Sequence, residues 1–278
     1  MTSARGVPNL VPVPDLPEPA AESREDLRIL SRLFELHVFR KHADELLERF
    51  AANGTARSGL VAGRGATPVI GVAAALEPGD QLFGTHRDWP AALARAVDFR
   101  DVLQRAIPNR TPSADLRSLV GGFHLTDATT ASHISEAVGF GISARLSGSG
   151  ALAVCYLGSG ALMQPETTAA LVQAVESRAR VAFVLRGPRV AVERLVVIQR
   201  IVVPPDSAYR AYWALAEART ARPGLPVLID ARHGNEPETP LDAQLLRERG
   251  VLSPEFERSL VQEVRDRLDE VRKSLELA

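Results

Sequence analysis

The sequence holds 278 residues with 33 basic and 34 acidic side chains, for a formal net charge of −1. That length can bury a sizeable core, while near-neutral charge with interspersed arginines and acids gives no electrostatic case for a nucleic-acid or anionic-membrane partner. No apolar stretch reaches the ~18 residues of a membrane-spanning helix, the opening residues lack the basic-then-apolar order of a signal peptide, and the one cysteine, Cys155, lies in an apolar run and reads as a buried thiol.

Residues 1–23 carry Pro8, Pro12, Pro14, Pro17 and Pro19 without periodicity, so an extended or disordered proline-rich arm is expected there. From residue 24 to 278 the pattern predicts one α/β domain. A long helix begins near Ser23 or Arg24, with Leu27, Leu30, Leu33, Phe34, Val38, Leu46, Leu47 and Phe50 at helical spacing and Asn53-Gly54 as its stop. A glycine-rich loop, a small-residue helix around Val69–Leu76 and a short strand at Gln81–Phe83 follow. "PAALARAVDFRDVLQRAI" predicts a helix or a pair, and the segment from Thr111 to His133 mostly loop. Ile134–Leu146 predicts a helix of small residues.

Ala151–Leu157, Arg180–Leu185 and Leu225–Asp230 read as strands buried on both faces, with Val196–Val203 a fourth candidate. Pro165–Ser177 and Ala208–Thr220 have helical periodicity between them. The tail predicts Ser253 as N-cap, Pro254 as first helical residue and an amphipathic C-terminal helix to about Leu277. Strands alternating with helices imply a three-layer α/β/α architecture with a mostly parallel central sheet.

Such sheets bind ligands at the carboxyl ends of their strands. Gly158-Ser159-Gly160-Ala161 stands at one such end, where it is either a tight strand-to-helix turn or a phosphate cradle. The six histidines give no zinc-like i, i+4 pair beside a carboxylate, and no nucleophile elbow, Walker loop or Cys-x-x-Cys is present.

From about Arg24 onward the chain resembles the alpha subunit of the decarboxylating first component of 2-oxo-acid dehydrogenases, acting on pyruvate or branched-chain oxo acids. The segments that carry the resemblance are "DQLFGTHRDWPAALARAVDFRDVL", "ASHISEAVGFGISAR", "AVCYLGSGA", "RVAFVLRGP", "LPVLIDARHG" and "PLDAQLLRERGVLSPEFERSLVQEV", in the family's order. The resemblance implies the thiamine-diphosphate-binding fold. It implies thiamine diphosphate as cofactor, with Arg87, Gly158, Ser159, Gly160 and Ala161 on it and His233 near the reacting carbons as the catalytic candidate.

The departures lie at the metal. Ser159 replaces the family's aspartate and Gly187-Pro188 its Asn-Asn pair, and magnesium wants an oxygen octahedron with at least one carboxylate. No metal ligand, and hence no magnesium, is expected from this set. Leu60 and Ala66 fall where the family has a histidine and a glutamate; His124 and His133 are the other histidines near family positions. The expectation is a non-catalytic or strongly altered alpha-like subunit; the alternative is an active alpha subunit completed by a beta subunit. Its expected partner is a second copy of itself or, in a heterotetramer, a beta-like chain, in the cytoplasm, with neither nucleic acid nor membrane.

Overall fold

A computed structural model describes residues 23–56, 58–107, 122–126, 131–189, 198–220, 225–234 and 240–275. Almost all of the expected proline-rich arm therefore lies outside the described residues. The first helix, α1, spans Arg24–Ala52 and opens on a capping box in which Ser23 and Asp26 satisfy each other's backbone amides, with Asn53 as C-cap. Next come a 3-10 turn at Ser58–Leu60, α2 at Thr67–Ala74, β1 at Gln81–Thr85 and a second 3-10 turn at His86–Asp88. The "PAALA…" segment forms a pair of helices, α3 (Pro90–Ala94) and α4 (Phe99–Ala106).

β2 is Phe123–Thr126, inside the stretch expected to be loop. Its four residues follow a glycine pair and carry no run of their own; parallel pairing to β1, with Leu82 opposite Phe123 and Thr85 opposite Thr126, makes them a strand. After it come α5 (Ser132–Ser147), β3 (Ala153–Gly158), α6 (Pro165–Glu176), β4 (Val181–Pro188), β5 (Gln199–Val202), α7 (Ala208–Thr220), β6 (Val227–His233), α8 (Leu241–Glu248) and α9 (Pro254–Ser274). Of these, α8 was not expected. α9 begins as predicted, on the Ser253 cap and Pro254.

Among the described residues six strands form one sheet in the order β2-β1-β3-β4-β6-β5, and every pairing between them is parallel. The pleat divides the core between two faces. Leu82, Val154, Tyr156, Ala182, Val184 and Ile229 meet α1, α2, α7 and α8. Phe83, Cys155, Leu157, Phe183 and Leu185 meet α5 and α6. Cys155 is fully buried, and burial raises its thiol pKa well above the usual value, which leaves it inert.

Two buried polar devices lock helices to this frame. Ser207 caps α7, and Asp242 of α8 accepts from the Ser207 hydroxyl and from the amides of Ala208 and Tyr209. Burial lifts the Asp242 pKa to about 6 against those bonds. In the same helical layer, His37 Nδ1 of α1 bonds Thr67 Oγ1 of α2 at 3.0 Å, and burial, with help from Arg40 and Lys41, lowers its pKa to about 3.

The closest helix contact is α2 on α7. A methyl built on Gly71 would stand 1.9 Å from the Ala208 carbonyl oxygen, so only glycine permits the crossing. Gly71→Ala should therefore cost about 3 kcal/mol or more in urea unfolding. Gly139→Ala, on an open face of α5 with nothing within 4 Å, should gain about 0.5–1 kcal/mol.

The pH profile follows from the two buried groups. His37 stays neutral in the native chain while the unfolded chain takes up a proton below about 6.5, so its contribution to stability is full above that pH and falls toward 3. Asp242 acts oppositely: its raised pKa favours the native state at acid pH, and this contribution is lost as pH climbs from 3.8 to about 6. Asp242→Asn should thus steepen the acid loss of stability between pH 6 and 4 by up to about 1.4 kcal/mol per pH unit, read from urea midpoints across that range.

Candidate functional site

The carboxyl ends of β1, β3, β4 and β6 lie side by side, and the sequence-predicted residues distribute over them. Gly158 ends β3 and is exposed, Ser159 is buried, Gly160 is exposed and Ala161 is buried. No α-helix opens at Gly160. Ser159–Met163 is a five-residue 3-10 turn, and α6 starts only at Pro165, where a proline at the first helical position sets the boundary. The turn is held by Thr167, whose hydroxyl donates to the Ala161 carbonyl at 2.6 Å.

The Ser159 hydroxyl faces inward. It lies 3.2 Å from the Arg186 carbonyl and 2.5 Å from that of Pro188, donating to the end of the neighbouring strand. Gly187 closes over it: a methyl there would stand 3.1 Å from Ser159 Oγ. The serine thus joins β3 to β4.

Arg87 is exposed in the 3-10 turn after β1. Its sequence neighbour Asp88, a natural ion-pair partner on paper, is turned the other way. Asp88 Oδ1 receives Nε and Nη2 of Arg186, both at 2.7 Å, and Oδ2 receives the amide and hydroxyl of Thr85 at 2.7 and 3.0 Å. Both side chains are buried. Gly84 makes the room, since a methyl on it would meet Asp88 Oδ2 at 3.0 Å. Arg186 is level with Gly158 in the β3–β4 register, so this pair joins the strands on either side of β3 across its carboxyl end. Sequence reading did not find Arg186. The available sign was a charged residue closing a run of five buried apolar ones.

His233 ends β6 opposite Pro188 and is partly buried, with Nδ1 donating to the Gly234 carbonyl at 2.9 Å. Three residues before it, Asp230 accepts from Arg232 at 2.9–3.0 Å and from Arg200 of β5. Burial opposes ionisation of Asp230, but the two guanidinium groups win and hold its pKa below the usual range. The glycine-rich loop covers this end. A methyl on Gly65 would stand 3.2 Å from the Gly187 amide and 3.3 Å from His233 Cδ2. The loop is fixed from behind by Asp44 of α1, which accepts from the amides of Ala62 and Gly63 at 2.8 and 3.1 Å and pairs with Arg40. Burial raises the Asp44 pKa despite those partners.

Leu60 is buried, and its carbonyl accepts the Trp89 indole at 2.8 Å; Ala66 is fully buried. His133 is buried and bonds the Tyr156 carbonyl at 2.8 Å, while His124 stacks on Phe83 and bonds Gln81. No helix among the described residues is long and apolar enough to cross a membrane.

The family described as Dehydrogenase E1 component matches residues 36–189, which is over half of the chain and includes β1, β3, β4 and their turns. The chain belongs to the dehydrogenase E1 component family. It is an alpha-like member with the thiamine-diphosphate-binding fold. A transketolase variant from Pichia stipitis is similar over 91% of this chain and 45% of its own, with TM-score 0.51 and 14% identity. Transketolase from Leishmania mexicana is similar over 90% and 46%, with TM-score 0.47 and 13% identity. Benzoylformate decarboxylase from Polynucleobacter necessarius is similar over 62% and 33%, with TM-score 0.40 and 12% identity. This chain therefore spans less than half the length of these solved structures, and at such identities the likeness shows the fold alone. A search of curated proteins found no match.

The Asp88–Arg186 pair gives a test of the site's framework. Asp88→Ala leaves a buried guanidinium unpaired and should cost about 3–5 kcal/mol of stability. Combining it with Arg186→Met should cost less than the sum of the two single changes, by about 0.5–3 kcal/mol in a urea-unfolding cycle.

Proposed function

We propose that this chain is an alpha-like subunit of the 2-oxo-acid dehydrogenase type that has given up magnesium-dependent binding of thiamine diphosphate and serves as a non-catalytic or strongly altered subunit. The observation that carries this reading is the inward turn of Ser159. A magnesium ion needs outward oxygen ligands, at least one of them a carboxylate in most sites. Ser159 spends its hydroxyl on β4, and Gly187 and Pro188 bring no side-chain oxygen. Both described carboxylates at the ends of β1 and β6 are held by guanidinium groups, Asp88 by Arg186 and Asp230 by Arg200 and Arg232. The residues present do not fit a magnesium diphosphate.

In this reading Arg87, Gly158, Ser159, Gly160 and Ala161 form the floor of the inherited site, and His233 stands on its rim. The chain's role is then assembly: it presents the family's surfaces to a second copy or, in a heterotetramer, to a beta-like chain. Catalysis by His233 would need a reacting carbon held against it, and the floor has lost the means to anchor one through a metal.

Calorimetry with thiamine diphosphate, with and without magnesium, on the chain alone and mixed with a beta-like subunit, tests the reading. The expected result is no magnesium-dependent heat in any mixture. Micromolar, magnesium-dependent binding, or 2-oxo-acid decarboxylation by the mixture, would overturn it.

A further inference from the structure

On α7, away from the glycine turn, three aromatic rings gather around two unmatched donors. Trp213 stands edge-on to both Tyr209 and Tyr212, with centroids 6.3 and 5.5 Å apart. Tyr209 is fully buried, while Tyr212 and Trp213 are half-buried. The Tyr209 hydroxyl and the Trp213 indole Nε1 are both closed off from solvent, and neither has a hydrogen-bond partner among the described residues. Asp26 of α1 and Trp213 stand near that hydroxyl without completing a bond to it. An indole N–H can only donate, and a buried donor without an acceptor is rare in a native chain. Water does not reach this one, so its acceptor has to be brought by polypeptide.

The chain itself leads to this place. Ser23, the cap of α1, is tied through its amide and its hydroxyl to Asp26 Oδ2 at 3.2 and 2.6 Å. The same Asp26 neighbours the Tyr209 hydroxyl, so residues 1–22 join the fold beside the aromatic cluster. That segment carries Pro8, Pro12, Pro14, Pro17 and Pro19. An extended proline-rich segment rises about 3.1 Å per residue, so Pro12 to Pro19 all lie within about 35 Å of chain from Ser23.

We propose that the segment Pro12–Pro19 of this same chain docks on the α7 ring cluster, its backbone carbonyls accepting from Trp213 Nε1 and the Tyr209 hydroxyl. Each proline offers a carbonyl and no N–H, which suits a patch short of acceptors. Its φ is already fixed, so little freedom is lost on ordering. Proline rings pack on aromatic faces, which is how proline-rich segments are recognised in aromatic-lined grooves. Attachment at Ser23 makes the contact intramolecular, at a high effective concentration that a separate chain lacks. The arm then fastens the start of α1 to α7.

The test is magnetic resonance of the full chain carrying nitrogen-labelled tryptophan. Trp89 and Trp213 are its two tryptophans, so two indole resonances are expected, Trp213 being identified by its loss in Trp213→Phe. The Trp213 indole proton should exchange slowly with solvent. Pro12→Ala/Pro14→Ala/Pro17→Ala/Pro19→Ala should shift its resonance and speed its exchange at least about tenfold. The Trp89 resonance, whose N–H bonds the Leu60 carbonyl, should stay in place and report an intact fold. With every proline kept, a nitroxide on Glu18→Cys gives a second measure, since Cys155 is buried and inert, and it should broaden the Trp213 resonance. An unchanged Trp213 resonance in the proline variant, or no broadening by the nitroxide, would overturn the inference. So would a Trp213 resonance that moves with dilution from about 200 to about 20 μM, which would put the arm of a second copy there.

Discussion

The ion pair between Asp88 and Arg186 is the constraint around which the carboxyl end of this sheet is organised. β1 and β4 are not neighbours; β3 runs between them, and the pair closes over its end. Two charges buried there demand each other, because removing either would strand its partner without water. Thr85 then has to supply both its amide and its hydroxyl to the free carboxylate oxygen, and Gly84 has to lack a side chain. Ser159 completes the arrangement by fastening the β3 turn onto β4. A parallel sheet ordinarily leaves polar groups at this edge for a ligand. Here the chain satisfies many of them itself.

The same economy recurs behind the site. Asp44 on α1 holds two amides of the glycine-rich loop, and Asp242 on α8 holds two amides at the start of α7. Each is a buried carboxylate from one helix that caps the backbone of another segment, and each suffers desolvation in doing so. Such groups add little net stability beyond what an apolar contact would give, but they fix position, because backbone amides bond in one geometry only. The loop bearing Arg64 and Gly65 is therefore set against β4 and β6 by α1, and its place follows from a pair, Arg40 and Asp44, one turn apart on that helix.

Much of the fold was legible because its strongest determinants are local. Ser23 with Asp26 starts α1, Ser253 with Pro254 starts α9, and β3, β4 and β6 show as apolar runs because both of their faces are covered. β2 was not legible, since its four residues are a strand only through β1. α8 was missed because it is short and follows a proline, its one clear sign being the spacing of Ala243 and Leu246. The glycine turn could be located but not oriented. Nothing in "GSGA" says that the serine looks into the protein; that depends on Arg186 and Pro188, 27 and 29 residues further on.

The partner of Asp88 was missed for a related reason. An arginine next to an aspartate invites a local pair, and Arg87 supplies one on paper. Geometry decides otherwise, because the capping of Thr85 by Asp88 turns the carboxylate into the sheet while the preceding residue points to solvent. Arg186, level with Gly158 on a strand buried on both faces, has no water to turn to and must find an anion inside. The long-range pair forms because the buried cation would otherwise pay the full cost of desolvation. Arg87 is left outside, exposed in the 3-10 turn after β1.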